Sequence, residues 1–324
     1  MLIVRSPLRI SLGGGGTDLP SYYRKFESHF VAAAINKYVY VAINKPFKEG
    51  IYLKYSEQEQ CSTVDEIKHP LIRECIKIMN LEDLQIEISS MADIPAGTGL
   101  GSSGSFTSAL LKALHEFLGK DISKVDLAEL ACKVEIEILG DPVGKQDQYI
   151  SVFGGLKSFR IDRNGKVDHE DLDLDGLTRK KLEDNLLLFF TGITRKATTI
   201  LRDQQNLADD STMQSNLHLT KSLGFQTKLA LETSNLPLFA KLLSDQWSQK
   251  RSRSVSTSTE AIDEAIKAGI DSGAKGAKLI GAGGGGFLLF YCAEKQALRS
   301  AMSKLGLEEV EFYFDETGTE VLTL

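Results

Sequence analysis

The sequence predicts an α+β fold built as two α/β layers, and three observations carry that expectation. Short runs rich in Val, Ile, Tyr and Phe alternate with longer segments at helical spacing along the whole chain. A glycine-rich loop, Pro95 to Ser105, joins one such run to one such helix. A run of charges from Asp168 to Asp184 breaks the apolar pattern and is the best place for a domain boundary, dividing the chain into 1–175 and 176–324. With 324 residues, 42% hydrophobic and 25% charged, the chain is long enough for one large or two medium domains.

In chain order, Leu2 to Arg5 reads as a short strand ended by Pro7, with Arg9 to Leu12 extended beyond it. Gly13 to Gly16 then force a loop. Four glycines in a row are entropically costly to order, so either something approaches the backbone closely or the loop is unstructured. Phe30 to Ile43 and Ile51 to Tyr55 read as strands, and Val64 to Met79 as a helix. Leu84, Ile86 and Ile88 alternate with polar residues as in a half-buried strand. After the loop, Phe106, Leu110, Leu111, Leu114 and Phe117 recur at helical spacing, with Gly119 as the stop. Ser123 opens a second helix that runs through Leu127, Ala131 and Val134 to Ile138. Gly144-Lys145-Gln146-Asp147-Gln148-Tyr149 follows, setting lysine, amide and carboxylate together past that helix end.

Gly154 to Ile161 reads as a strand leading to a hairpin-like turn at Asn164-Gly165. Leu186 to Phe190 is an apolar strand, followed by Thr191-Gly192-Ile193-Thr194-Arg195-Lys196. Helical segments extend from Ala197 to about Lys250, with Trp247 read as core and, as the alternative, a stacking platform. Lys250-Arg251-Ser252-Arg253 is a basic cluster, either solvated charge or a phosphate contact. Ala261 to Ala268 is another helix. Ala277 to Ile280 and Phe287 to Tyr291 read as strands flanking Gly281 to Gly286, and a helix and a last strand, Glu309 to Phe314, close the chain.

The loop before Phe106 carries the strongest chemical signal. Backbone N–H groups at a helix N-terminus are unsatisfied, and the helix dipole favours an anion there. Glycines let the backbone close around that anion. Ser102 and Ser103 are candidates to cap the helix, and one hydroxyl is also suited to a phosphate-bound Mg²⁺. The alternative is an ordinary tight turn with a serine cap. The loop has no G-x-x-x-x-G-K-[ST]. It does match G-x-G-x-x-G, at Gly99, Gly101 and Gly104, but so do Gly281, Gly283 and Gly286, so the pattern alone is weak.

Composition excludes several classes. A net charge of −6 argues against nucleic acid, which calls for a broad basic face. The four cysteines have no C-x-x-C spacing and read as reduced thiols of a cytoplasmic protein. The five histidines form no H-E-x-x-H, so no zinc site is expected. The N-terminus does not read as a signal peptide. The longest uncharged run, Leu279 to Ala293, falls short of the roughly 20 apolar residues that span a membrane.

Three motifs in a fixed order then matter together: Pro7-Leu8-Arg9 with Gly14 to Asp18, Pro95 to Ser103, and Lys278 to Gly286. They resemble those of the GHMP-type small-molecule kinases, the family of galactokinase, homoserine kinase, mevalonate kinase and phosphomevalonate kinase, over nearly the whole chain. Leu8 to Asp18 and Thr191 to Lys196 look most like the branch that acts on D-glycero-D-manno-heptose 7-phosphate. The resemblance implies two domains with the active site in the cleft between them, 1–175 binding ATP. It also implies a left-handed β-α-β unit, against the usual right-handed crossover.

The resemblance further implies roles. Pro95, Gly97, Thr98, Gly99, Leu100, Gly101, Ser102 and Ser103 match the ATP phosphate loop, with Ser103 and Glu135 as Mg²⁺ ligands and Glu137 as the competitor. Asp147 matches a carboxylate proposed as catalytic base, with Arg9 the cation beside it. The pair could instead only position the hydroxyl and balance charge, since phosphoryl transfer asks mostly for alignment, or Asp147 could form a helix-end ion pair with Lys145 or Arg9. Asp18, with Thr17, Gly15 and Gly16, matches the sugar-contacting stretch, and Gly283 and Gly284 are expected to border the substrate. For a substrate phosphate the candidate cations are Arg195 and Lys196, then Lys250 and Arg251. Lys54-Tyr55-Ser56 is the candidate adenine contact.

The implied reaction is phosphorylation of the anomeric hydroxyl of a small-molecule sugar phosphate, with ATP and Mg²⁺, no nucleic acid or membrane partner, and a homodimer as the expected assembly. The rivals are a kinase for an unphosphorylated sugar, a non-catalytic sugar sensor on the same scaffold, and a dinucleotide-binding oxidoreductase built on Gly99 to Gly104. The last fits poorly, because the strand before the loop alternates instead of running fully apolar.

Overall fold

The computed structural model describes residues 1–81, 85–194, 200–202 and 210–322. Its first sheet has eight strands, and two long ones are its axis. β1 (Leu2–Gly13) pairs antiparallel with β2 (Ser28–Asn44) along its length, with α1 (Pro20–Phe26) in the connection. Pro7 does not end β1, contrary to the sequence expectation. The strand runs through it with a register shift between Pro7 and Leu8, an irregularity that accommodates a residue without an N–H.

The other edge of β2 is shared. Residues 39–44 pair with β5 (Ile86–Ala92), whose expected first residue Leu84 lies outside the described residues, and residues 28–33 pair with β6 (Leu156–Ile161). β5 runs parallel to β3 (Ile51–Lys54), which pairs on its far side with β4 (Gln58–Cys61). The helix between them, α2 (Pro70–Ile78), starts later than expected. Pro70 holds His69 extended, so only a 3₁₀ turn forms at Val64–Glu66. β7 (Val167–Asp171) forms a hairpin with β6.

Helices cover this sheet. α3 (Ser102–Phe117) begins at Gly101, whose φ is +79°, with no side-chain cap. Ser102 and Ser103 are therefore first-turn residues rather than caps. α4 (Lys124–Cys132) is capped by Ser123 and continues into a π-helical turn, Lys133–Ile138. α5 (Gln146–Phe153) starts in the stretch read as lying past a helix end, so Asp147 sits in a helix first turn. The charged stretch becomes exposed β7 and α6 (Gly176–Asn185), capped by Asp175.

The second sheet has the order β11-β8-β10-β9, all antiparallel. Its strands are β8 (Leu186–Phe190), β9 (Gly276–Leu279), β10 (Phe287–Tyr291) and β11 (Glu308–Glu309). Around it lie α7 (Ser211–Glu232), α8 (Leu236–Arg251), α9 (Glu260–Asp271) and α10 (Lys295–Lys304). Trp247 is buried in this core with Phe189, Leu279 and Phe290, which leaves the stacking-platform reading without a surface.

The expected last strand, Glu309 to Phe314, is not formed as such. Only its two ends pair, Glu309 within β11 and Phe314 in a single bridge to Ile35, and β12 (Glu320–Leu322) pairs with β1. The second sheet is thus built within 186–309, and the tail beyond it crosses back over the 175/176 division. No described helix is long and apolar enough to cross a membrane.

Candidate active site

A cavity of about 800 Å³ opens where the two sheets' elements meet, within the size range of small-molecule sites. On one side lie Arg9 and Ser11 of β1, Gly15, Gly16 and Asp18, and the starts of α3 and α5; on the other lie Thr220, Gln246, Lys250, Arg253, Lys278 and Gly281.

The loop before α3 forms its floor. Gly97, Gly99, Gly101, Ser102 and Ser103 line the cavity, while Thr98 and Leu100 turn inward and are buried. The Thr98 hydroxyl donates to the Pro95 carbonyl at 3.0 Å, fixing the turn. Gly99 has φ +85° and lies so close to the third glycine motif that a Cβ there would come within 2.9 Å of the Ile280 carbonyl oxygen. The helix dipole and an uncapped first turn make this the cavity's anion-favouring end.

Arg9 ties that loop to Asp147. Its Nε donates to Asp147 Oδ1 at 2.7 Å and its Nη2 to Oδ2 at 3.0 Å. Nη1 donates to the Gly99 carbonyl at 2.5 Å, and the Arg9 backbone N–H to the Leu100 carbonyl at 2.9 Å. Helix α3 packs directly on Asp147: a Cβ at Gly104 would lie 2.8 Å from Asp147 Cβ. Lys145 is not the partner of Asp147, because its ammonium donates to both Glu129 oxygens at 2.8 Å. The Asp147 side chain keeps 28% exposure, reachable from the cavity.

Asp18 faces Asp147 from the glycine loop. Its carboxylate accepts from the backbone N–H of Gly16 at 2.9 Å and of Gln146 at 3.2 Å. Burial first, and then the Asp147 charge, push its pKa up. Gly15 and Gly16 line the cavity beside it. Thr17 does not: it is buried, its hydroxyl donating to the Gly14 carbonyl at 2.8 Å, so it shapes the loop from behind. The four glycines are therefore ordered by close approach, since a Cβ at Gly14 would meet the His29 carbonyl at 2.2 Å. Ser11 Oγ and Gln146 Nε2 are buried in this wall without a hydrogen-bond partner among the described residues.

Beside Ser103, the π-helical turn brings in Glu135. Ser103 Oγ donates to Glu135 Oε2, and Gln148 Nε2 donates to Oε1 at 3.0 Å. Glu135 is buried, and that burial pushes its pKa up to about 7. Glu137, two residues on, is exposed and points elsewhere. A hydroxyl and a carboxylate from two elements, with the orphaned Gln148 Oε1 nearby, are hard oxygen donors. They fit a magnesium ion, which keeps waters and phosphate oxygens as its remaining ligands.

Other expected residues lie elsewhere. Gly283 and Gly284 are outside the cavity lining, against the turn at Thr257, where Gly284 N–H donates to the Thr257 carbonyl at 2.7 Å. Arg195 and Lys196 lie outside the described residues. Lys250 lines the cavity and donates to the Leu279 and Gly281 carbonyls. Arg251 turns outward to Asp263 at 2.5 Å. Tyr55 and Ser56 line the cavity's far end with His69, Met91 and Phe106, whereas Lys54 pairs with Glu87 at 2.6 Å outside it. Ser11, Gln146, Gln246, Arg253 and Lys278 also line the cavity; the sequence reading takes Arg253 only within the basic cluster and assigns the other four no role. Arg253 in the basic cluster and Lys278 at the head of the third glycine motif were the readable signals among them.

Residues 70–155 match the N-terminal domain of the GHMP kinases, and residues 227–308 match their C-terminal domain. The chain is 28% identical to the D-glycero-alpha-D-manno-heptose 7-phosphate kinase of Campylobacter jejuni, covering 98% of this chain and 97% of that protein. It is 27% identical to the galactokinase of Pyrococcus furiosus, covering 88% and 87%. Among solved structures it superimposes on a D-glycero-D-manno-heptose 1-phosphate kinase from Bacteroides thetaiotaomicron with a TM-score of 0.82 and 25% identity, covering 100% of this chain and 99% of the other.

Proposed function

Since this chain belongs to the GHMP kinases, phosphotransferases with a hydroxyl acceptor, and is a sugar kinase by its relatives, we propose that it phosphorylates the anomeric hydroxyl of D-glycero-D-manno-heptose 7-phosphate to the 1,7-bisphosphate. The observation that carries the reading is the Arg9 clamp, which holds Asp147 against the loop at the head of α3 within one cavity.

Gly97–Ser103 would hold the terminal phosphates of ATP, the family's phosphoryl donor, and Tyr55 and Met91 at the other end of the lining would meet its base. Asp18 accepts sugar hydroxyls, as a carboxylate can accept two donors. The anomeric hydroxyl then sits between Asp147 and the terminal phosphorus. Asp147 takes its proton while the oxygen–phosphorus bond forms and the bond to ADP breaks. Ser103 and Glu135 would hold Mg²⁺, which would supply neutralisation of the phosphate charge. Four free, buried thiols support a reducing, cytoplasmic setting.

The test is turnover with MgATP over sugars and sugar phosphates, reading ADP release and the position of the new phosphate. A 1,7-bisphosphate from the seven-carbon phosphate is the expected product. Turnover of galactose or fucose, with none of any heptose phosphate, sinks the acceptor assignment and favours a galactokinase-like reading. Binding of ATP and sugar without ADP release would favour a non-catalytic sensor.

A further inference from the structure

Two cations in the cavity wall form no ion pair among the described residues. Arg253 follows the C-terminus of α8 and is 8% exposed; Lys278 on β9 is 6% exposed. Arg253 Nε donates to Asn216 Oδ1 at 2.8 Å and its Nη2 to Thr220 Oγ1 at 2.7 Å. Lys278 Nζ donates to the Ser11 carbonyl at 2.9 Å and to Gln246 Oε1 at 3.3 Å. All four partners are neutral, and neither cation forms an ion pair among the described residues. Two other part-buried cations near the site are neutralised: Arg9 by Asp147 and Lys145 by Glu129. A buried charge held only by neutral groups is expensive to keep. A cavity that keeps two of them is complementary to an anion.

The pair sits at the acceptor end. Arg253 Nη1 makes no hydrogen bond among the described residues and lies against the sugar-side loop, where a Cβ on Gly16 would come within 2.6 Å of it. Asp18 acts on Arg253 through its charge, but its oxygens are engaged by Gly16 and Gln146. Lys278 shares Ser11 with the same loop: its ammonium takes the Ser11 carbonyl, and the Ser11 hydroxyl is left buried without a partner. The ATP end, by contrast, is built from the α3 N-terminus and the Tyr55–Phe106 side of the cavity.

Resting on the sugar-kinase reading, we propose that Arg253 and Lys278 form a seat for a second anionic group of the acceptor, a phosphate that it already carries and that is not transferred. Arg253 then sets the preference for phosphorylated over free sugar. Its planar guanidinium, with two edges fixed by Asn216 and Thr220, offers the remaining edge to phosphate oxygens. Lys278 supplies a point charge from the same side of the cavity.

The experiment compares heptose 7-phosphate with the unphosphorylated heptose in the full-length enzyme, its Arg253→Met variant and its Lys278→Met variant. Wild type is expected to prefer the phosphorylated acceptor by about 10²-fold or more in kcat/KM, as loss of a charged hydrogen-bond partner gives. Each variant is expected to collapse that ratio toward unity, through acceptor KM, while ATP KM moves by less than about threefold. Wild type using free sugar as well as sugar phosphate overturns the proposal without any variant, and leaves the kinase reading standing. A variant that loses both acceptors equally, or raises ATP KM and not acceptor KM, overturns it as well. Wild type that phosphorylates no sugar at all defeats the kinase reading itself. If one variant does not fold, as thermal unfolding will show, the other carries the same measurement.

Discussion

Replacing Gly281 by alanine tests whether the third glycine motif holds the phosphate loop in place. Gly281 has φ +80°, and a Cβ there would lie 2.4 Å from Gly99 Cα and 2.8 Å from the Gly99 carbonyl oxygen. The left-handed backbone alone costs an alanine about 1–2 kcal/mol. The contact is the larger matter. Carbon atoms rest at about 3.5–4.0 Å, so the two backbones must part by about 1 Å. The part that moves is Gly99, whose carbonyl also receives the Arg9 Nη1 hydrogen bond. A misplacement of that size at a phosphoryl-transfer site costs on the order of 10²-fold. Gly306 is the matched control: φ is +73° and a Cβ there would meet nothing within 4 Å. Gly306→Ala is expected to lower Tm by roughly 2–4 °C with activity intact. Gly281→Ala is expected to lower it comparably or more and to drop kcat/KM for ATP by about 10²-fold. Thermal unfolding and steady-state kinetics on both proteins decide the matter. Equal activity in the two variants would refute the idea that this backbone contact sets the loop.

Two more outcomes follow from the site. Asp147→Asn preserves shape, and kcat should fall by about 10²-fold or more if the carboxylate takes the proton; a loss of only a few fold, in initial rates at saturating substrates, assigns it to orientation alone. Lys278 has its pKa lowered to about 7, first by burial and then by Arg253 and Arg9. Its unfolded value is higher, so between about pH 7 and 10 the unfolded chain binds the extra proton and stability rises with pH. The penalty is full below about pH 7. Urea unfolding across that range should show the rise in wild type and a flatter profile in Lys278→Met, while identical slopes would contradict a buried, unpaired ammonium.

How much of this was legible depends on whether the signal was local. Helix α3 followed from its apolar spacing, and the loop before it from glycines that only a close backbone approach requires. Pro7 misled, because a strand tolerates proline at an irregularity and the sequence does not show where β2 shifts register. The start of α5 was missed because Gly144 to Tyr149 reads only as a stretch past the preceding helix end. The real constraint is tertiary: a Cβ at Gly144 would sit 1.9 Å from Asp18 Oδ2. The last strand was misplaced because pairing with β1, about 300 residues away, leaves no periodic trace in three residues. The charged wall was least legible of all. Arg251 and Arg253 are two residues apart in one basic cluster, yet one faces Asp263 at the surface and the other is buried in the cavity.

Arg9 shows why the site's two halves act as one. Every guanidinium nitrogen is committed, Nε and Nη2 to Asp147 and Nη1 to the Gly99 carbonyl, while its own N–H holds Leu100. A side chain so engaged cannot bind a substrate phosphate without releasing the base or the loop. On the proposed reading its contribution is geometric: it sets the distance between Asp147 and the amides at the head of α3, which gives Arg9 a positioning role. It also explains where charge for the acceptor must come from. With Arg9 neutralised by Asp147, the proposed acceptor seat draws its positive charge from Arg253 and Lys278, which form no ion pair among the described residues. Strand β1 thus serves both halves of the cavity at once, with Arg9 facing the loop before α3 and the carbonyl of Ser11, two residues on, holding Lys278 at the proposed acceptor seat.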